Sequence, residues 1–470
     1  MRFSATMTAE RLLPKSLALR ARPVVSRIDG LISGDTSSGA AGRITLFAFV
    51  IRIASAAIAF ISQVLLARWM GAFEYGIFVL VWVTMIIAGN LSCLGFHTSV
   101  IRFVPEYRET GRLAELRGIL LTSRLFVLIA SSAIAAIGAA GLWLFSDSVE
   151  SYYVVPFYLG IICLPMIALS DVLQGIARAN AWATSALAPT YLIRPVLILV
   201  FMAGAILLRQ EATATTAILA AILATYATTI YQFVNITTRI DRKIAAGPRT
   251  VSLRFWIGVS LPIFLVESFF FLLTNADVLM VGLYMTPHDV AIYFATVKTL
   301  AIAHFVYFAV KAGVAQHYAH LAHDGSSGQL ARFARETVTW TFWPTLALAL
   351  VILLLGKPML FLFGPGFDAG YPLLFVLILG VVARAAVGPA ESLLTMSGHQ
   401  NVCAAAYAAT LALNVGLNML LIPQVGLWGA AVATAVAMTF EAAILSFIVW
   451  RKLGIVMAVF LPAKQQQDAD

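Results

Sequence analysis

The sequence predicts an all-α polytopic membrane protein, with twelve transmembrane helices in two six-helix bundles that repeat one another in parallel around a central cavity. Three observations carry this. Only 11% of the residues are charged and 61% are hydrophobic, with mean hydropathy +0.91; soluble domains carry about 25% charged residues. The apolar residues gather in runs of about 20, the length that a bilayer core of roughly 30 Å requires. The Lys and Arg residues between the runs fall mostly on one side of the membrane, as cytoplasmic loops do.

Twelve apolar segments follow in order. The first six lie at 44–66, 74–100, 118–145, 152–177, 183–208 and 214–238. The second six lie at 255–283, 288–316, 337–356, 371–396, 402–422 and 427–450. They divide the chain into an N-terminal lobe, 44–238, a cytoplasmic linker, 239–254, and a C-terminal lobe, 255–450. Turn residues separate them, as in Gly247-Pro248 and Gly364-Pro365-Gly366. Residues 1–43 form a basic tail with no apolar core of the signal-peptide kind, and the reading is a disordered cytoplasmic tail. A second cytoplasmic tail covers 451–470.

The net charge is +9, from 31 Lys and Arg against 22 Asp and Glu. In a soluble protein this excess would point to nucleic acid. Here it sets orientation. With both termini in the cytoplasm, the inner side holds the Arg and Lys residues of the tails, of 102–124 and of 239–254, together with Arg178, Lys311, Arg332 and Arg335. The outer side holds Arg68, Arg209 and Lys357. The expected location is therefore the cytoplasmic (inner) membrane, crossed an even number of times.

The chain also repeats itself weakly. The turn from Trp69 to Phe78 aligns without gaps on Tyr284 to Tyr293, and both are outer turns between the first two helices of a half. Asp171-Val-Leu173 matches Glu391-Ser-Leu393 near the inner ends of helices 4 and 10, and Asn180 and Asn401 follow in step. Each half starts inside, so the halves are parallel repeats, and rocking one against the other gives alternating access.

Charges deep in these segments are the functional candidates. Arg52, Arg194, Lys298 and Arg384 lie within helices 1, 5, 8 and 10; Glu267, Asp277, Glu391 and Glu441 lie within helices 7, 7, 10 and 12. An Arg or Lys at the bilayer centre costs about 2.5–3.5 kcal/mol on insertion scales, so a helix keeps one only where it meets a partner or a wet cavity. Pairing of some cations with Glu267 or Glu441 across helices is expected. Unpaired cations in a cavity suit a phosphate or diphosphate. The carboxylates are candidates for coupling to an H⁺ or Na⁺ gradient.

Other polar groups have plainer readings. His317, His320 and His323 drift around their helix and read as a solvated helix end, with no metal site. His304 reads as cavity lining and His97 as packed. Asn275, Asn414 and Asn418 read as helix–helix hydrogen bonding, and Cys93, Cys163 and Cys403 as buried packing. Prolines 165, 195, 262, 344 and 389 interrupt helices. The small-residue stretch from Gly426 to Thr434 reads as close packing of helix 12. There is no Walker A, HExxH or Gly-x-Ser-x-Gly sequence, and no outer loop is long enough for a catalytic domain. No cofactor is expected.

Three stretches carry a resemblance. The outer turn Leu66-Ala-Arg-Trp-Met-Gly-Ala-Phe-Glu-Tyr-Gly76 is similar to the "LAR-x-LG-x-x-E-[YF]-G" turn of Wzx-type polysaccharide flippases. Asp277-Val-Leu-Met-Val-Gly282, followed by Asp289-Val-Ala-Ile-Tyr293, looks like the matching helix 7–8 stretch. Ile422-Pro-Gln-Val-Gly-Leu-Trp-Gly-Ala-Ala431 resembles the passage before the last helix. The resemblance spans about 44 to 450; the second turn departs from the pattern, with Thr286-Pro-His in place of the glycine-containing version.

The resemblance implies the multidrug/oligosaccharidyl-lipid/polysaccharide exporter superfamily, with two lobes around a V-shaped cavity lined by helices 1, 2, 7 and 8. That places Arg52, Glu267 and Lys298 in or near the cavity. The expected function is translocation of a polyprenyl-diphosphate-linked oligosaccharide from the inner to the outer leaflet, for cell-surface polysaccharide biosynthesis. Arg52, Lys298, Arg384 and Arg194 would bind the diphosphate. The expected partners are the lipid-linked substrate, membrane lipid, and a polysaccharide polymerase with its chain-length machinery; nucleic acid is excluded. The competing readings are a multidrug antiporter of the same superfamily, a membrane-embedded polymerase or ligase, and a structural subunit of an export complex.

Overall fold

The computed structural model describes residues 37–323 and 327–459, with side chains from 54 to 323 and from 328 to 459. Most of the basic tail, the chain beyond 459 and the side chain of Arg52 lie outside the described residues. The first lobe contains α1 (Ser37–Ser92), α2 (Phe96–Glu109), α3 (Leu113–Leu144) and α4 (Ser151–Ala179). It continues with α5 (Ala183–Ala188), a π-helical turn over Pro189–Ile193, α6 (Arg194–Leu207) and α7 (Ala214–Asp241). The second lobe contains α8 (Leu253–Leu273), α9 (Ala276–Tyr284), α10 (Pro287–His323) and α11 (Ser327–Phe361). After a 3₁₀ turn at Phe367–Gly370 it ends with α12 (Tyr371–Ala385), α13 (Ala390–Met396), α14 (Gln400–Val425) and α15 (Leu427–Leu453).

Eleven stretches among the described residues are long and apolar enough to cross a membrane. The first of them, Ala54–Ser92, has 39 residues and would measure roughly 58 Å if straight, about twice a bilayer core. It is not straight. Gly71 sits at φ 76°, ψ 167°, a conformation that glycine adopts without strain. The Tyr75 hydroxyl donates to Gln63 Oε1 at 2.8 Å. Twelve residues apart on one straight helix, these groups would be separated by roughly 18 Å along the axis. The chain therefore folds back at Gly71, the first stretch crosses twice, and the spans number twelve.

Four of the predicted helices are broken. Helix 2 is interrupted between Ser92 and Phe96, helix 7 at Thr274 and Asn275, and helix 10 between Ala385 and Ala390; helix 5 carries the π-helical turn. At the helix 7 break the freed carbonyls find local donors. The Thr274 hydroxyl bonds Phe271 O at 2.9 Å and Asn275 Nδ2 bonds the same oxygen at 2.9 Å, as helix ends require. Asn275 thus serves its own helix, and so does Asn418, whose amide bonds Asn414 O at 2.9 Å; the helix–helix bonds expected of them are absent among the described residues. Helices 8 and 9 run longer than their apolar segments. α10 continues to His323 and α11 starts at Ser327, because polar residues extend a helix into water where hydropathy stops reading it.

The cores show how the lobes meet. At the end holding the α1 turn and the α10 start, a single buried cluster takes residues from both lobes, from Leu66 to Ile87 and from Val278 to Ala303. At the other end, where the described chain begins and finishes, the cores are separate. One joins Phe96, Tyr107, Ile119 and Ile176 of the first lobe with Trp256; the other joins Tyr318, Leu393, Tyr407 and Val449 of the second. The lobes touch through helices 1, 2, 7 and 8. The result is a V, joined at the end of the outer turns and parted at the terminal end.

Candidate functional site

The joined end is fastened by residues of the two repeated turns and of the segments beside them. Arg68 Nε donates to Leu362 O at 2.6 Å and Arg68 Nη2 to Phe361 O at 3.1 Å, reaching across to carbonyls at the end of α11. Phe60 packs edge-on against Phe363 with centroids 5.5 Å apart, and Tyr75 lies between Phe294 and Phe367 at 6.3 and 6.2 Å. Gly76 leaves no room for a side chain, since a Cβ there would lie 1.7 Å from Pro287 O. The Glu74 carboxylate takes the Ala214 N–H at 2.7 Å, at the start of α7.

Lys298 lies one helical turn beyond Phe294, on the same face of α10. Since Phe294 packs against Tyr75 of the other lobe, Lys298 stands at the apex of the V, just past the shared core. Its ammonium sits 4.8 Å from the Phe294 ring centroid, and it has no ion pair or hydrogen bond among the described residues. Asp277 is near enough to act on it electrostatically but is otherwise engaged: it accepts from the Tyr293 hydroxyl at 2.9 Å and from Val278 N at 3.0 Å. Tyr293 in turn shares a hydrogen bond with Thr434 at 3.1 Å.

One side of the V is bridged by α8. Its first half lies on α2: Trp256 Nε1 donates to the Tyr107 hydroxyl at 2.9 Å and the Ser260 hydroxyl to Ser99 Oγ at 2.7 Å. Glu267 follows on the same helix, 3.2 Å from His97 Nε2, and accepts from the Thr98 hydroxyl at 2.6 Å. The Glu267 side chain is 40% exposed although it is mid-helix, so it borders the open cleft. His97 is not simply packed; the helix 2 break turns it toward the other lobe.

Within the second lobe the deep charges pair. Arg384 Nη2 lies 3.1 Å from Glu441 Oε1, with both side chains almost wholly buried, and its guanidinium stacks over Tyr307 at 4.4 Å. Lys311 Nζ donates to both oxygens of Glu391 at 2.7 Å. Arg384 and Glu391 do not meet. The helix 10 break puts Arg384 in the last turn of α12 and Glu391 in the first turn of α13, the ends that favour a cation and an anion respectively. In the first lobe Arg194 is buried and donates to Ser170 Oγ at 3.0 Å, beneath the π-helical turn. Arg52 lies outside the described side chains. No group of three or more metal-binding side chains gathers among the described residues, and the three cysteines are buried and free.

The family model described as "Polysaccharide biosynthesis protein" matches residues 42–315, more than half of the chain. The chain belongs to the polysaccharide biosynthesis protein family. No curated protein matches it in sequence. Its fold is that of the MOP superfamily. An inward-facing multidrug resistance MATE family transporter of that superfamily matches with TM-score 0.71 at 13% identity, over 86% of this chain and 98% of that one. The lipid II flippase MurJ, in an inward closed conformation, matches with TM-score 0.65 at 14% identity, over 86% of this chain and 87% of that one. An outward-facing MATE transporter matches with TM-score 0.62 at 14% identity, over 90% of this chain and 97% of that one. The chain thus joins a polysaccharide biosynthesis family sequence to a fold that it shares with multi-pass membrane transporters and a lipid flippase.

For a member of this family the structure adds site residues that the sequence reading passed over. Lys311 stands near the end of an apolar segment, where hydropathy alone assigns it to the inner mouth. Instead α10 runs twelve residues further, and Lys311 reaches Glu391 inside the second lobe. Phe270 was one of a run of phenylalanines; its ring lies 5.1 Å from the Lys311 ammonium and 5.4 Å from the Arg384 guanidinium. Neither pairing has a sequence signal, because the partners come from helices far apart in the chain.

Proposed function

We propose that the protein translocates a polyprenyl-diphosphate-linked oligosaccharide from the inner to the outer leaflet of the cytoplasmic membrane by alternating access, for cell-surface polysaccharide assembly. The observation that carries this reading is Lys298, an unpaired cation at the apex of a two-lobed cleft. Three of the deep carboxylates have donors, Glu267 from Thr98 and His97, Asp277 from Tyr293 and Glu391 from Lys311, and Glu441 is ion-paired with Arg384. A cleft whose uncommitted charge is positive suits an anion. A carrier of cationic drugs needs the reverse, which disfavours the antiporter reading.

In this scheme Lys298 holds the diphosphate, with Arg52, expected from the sequence to share this role, as a second cation. Arg384 and Arg194 support the walls. With the termini in the cytoplasm, the parted end faces inward and admits the head group while the prenyl chain stays in lipid. Glu267, at the lobe seam, is the carboxylate best placed to couple the motion to an H⁺ or Na⁺ gradient. A polymerase and chain-length machinery would take the product on the far side.

The test is the leaflet distribution of lipid-linked oligosaccharide in cells lacking the protein, restored with wild type or with Lys298→Ala. Inner-leaflet accumulation relieved by wild type and at least tenfold less by the variant is the expected result. Normal outer-leaflet glycolipid in the deletion strain, with no second flippase present, would overturn the proposal; a gain in drug susceptibility would then favour the antiporter.

A further inference from the structure

Between α10 and α13, on the terminal-end side of the second lobe, lies a pocket of about 340 Å³. Its walls are Phe308, Lys311, Glu391, Ser392, Thr395 and Met396, with small alanines of α10 beside them. The volume falls at the lower end of small-molecule sites, which run about 300–1,000 Å³. Lys311 stands about 18 Å short of the His323 end of α10, counted at 1.5 Å per residue. Lys298 lies about 20 Å from Lys311 in the other direction along α10, so the pocket sits midway between the apex and the terminal end.

Its chemistry differs from that of the apex. Lys311 is already neutralised by two 2.7 Å bonds to Glu391. An entering phosphate would meet the Glu391 carboxylate, and an entering cation the Lys311 ammonium. A neutral polyhydroxylated ligand meets neither obstacle. Each hydroxyl both donates and accepts, so Lys311, which only donates, and Glu391, which only accepts, can be satisfied by neighbouring hydroxyls of one ring without parting from each other. Ser392 and Thr395 add groups that do both. Phe308, 37% exposed, and Met396, 40% exposed, offer apolar surface to the C–H face of such a ring.

We infer that this pocket is a sugar subsite, in which Lys311 and Glu391 bind the hydroxyls of a monosaccharide unit of the cargo while Phe308 packs against its C–H face. The inference rests on the proposed glycolipid cargo and adds where the glycan sits: about 20 Å along α10 from the apex, where the diphosphate is held. It makes Lys311 and Glu391 specificity residues for the sugar.

The experiment uses the full chain in lipid nanodiscs and two probes, polyprenyl diphosphate and the same lipid carrying a sugar unit. Methyl glycosides and inorganic diphosphate serve as soluble probes. The variants are Lys311→Met/Glu391→Gln, which removes both charges together and strands neither, and Phe308→Ala, which leaves the pair intact. The expected result is that wild type binds the sugar-bearing lipid more tightly, and that each variant loses on the order of tenfold of that preference, the equivalent of one or two hydrogen bonds or a lost ring contact. Methyl glycosides show saturation transfer on wild type that inorganic diphosphate does not displace. If both variants keep the preference, the subsite is wrong and the flippase reading stands. If neither lipid binds but methyl glycosides do, and the variants lose them, the subsite stands and the lipid cargo is wrong. If no sugar probe binds wild type, the subsite is overturned.

Discussion

Single residues of the outer turn show what a short motif does physically. Arg68 bonds the opposite lobe, Glu74 holds the first turn of α7, Tyr75 ties the turn back to helix 1, and Gly76 lets Pro287 approach. Each acts on a different neighbour, so the motif is a set of contacts that closes one end. Glu74→Ala should destabilise the protein by about 0.5–2 kcal/mol, as the loss of a helix-capping carboxylate does, read as a lowered unfolding midpoint in nanodiscs. The buried Arg384–Glu441 pair makes a sharper test. Arg384→Ala leaves Glu441 charged and unpaired and should cost about 3–5 kcal/mol, whereas Arg384→Met with Glu441→Leu should recover most of it. Equal losses in the single and double variants would show that packing, not charge, holds these helices. That Arg384 and Glu391 would be deep was legible from hydropathy. Their partners were not, because pairing depends on how helices 8, 10 and 12 face one another, and one sequence carries no record of that.

Breaks set the roles of the helices. A continuous helix 10 would place Arg384 and Glu391 two turns apart on one face; the interruption at Gly388 and Pro389 gives each its own helix end and its own partner. Proline and glycine marked this interruption in the sequence. The break at Thr274 and Asn275 has neither residue, and hydropathy ran through it as one segment, 255–283. Polar ends were misread for a related reason, since an apolar window stops at the lipid boundary while α10 and α11 do not. The repeated turns were legible as a pair, and the structure places one against the other at Gly76 and Pro287. Gly76→Val should drive these turns apart. Spin labels on Leu208→Cys and Leu283→Cys, both exposed at that end, should then show a longer and broader distance distribution than the wild-type background. An unchanged distribution would mean that the turn relaxes locally.

At the scale of the whole molecule, the two lobes share one core at the outer turns and keep separate cores at the terminal end. Arg68 is the main polar fastening across the joined end, and Arg68→Ala should raise the population of the oppositely opened form, seen as greater thiol labelling of cysteines placed beside Tyr75. The fold class, the twelve crossings and the parallel halves were all legible in composition and charge. The angle of the V was not, because it reflects which surfaces the lobes hide from water at a given moment.

That asymmetry gives the proposed transport cycle a thermal signature. Opening the joined end hydrates the aliphatic and aromatic surface now buried between Leu66–Ile87 and Val278–Ala303, and hydrating such surface raises the heat capacity. The free energy separating the two forms is then curved in temperature, and the attraction across the joint weakens on cooling. Cold should loosen the joined end before it disturbs either lobe, and turnover plotted against reciprocal temperature should bend rather than run straight.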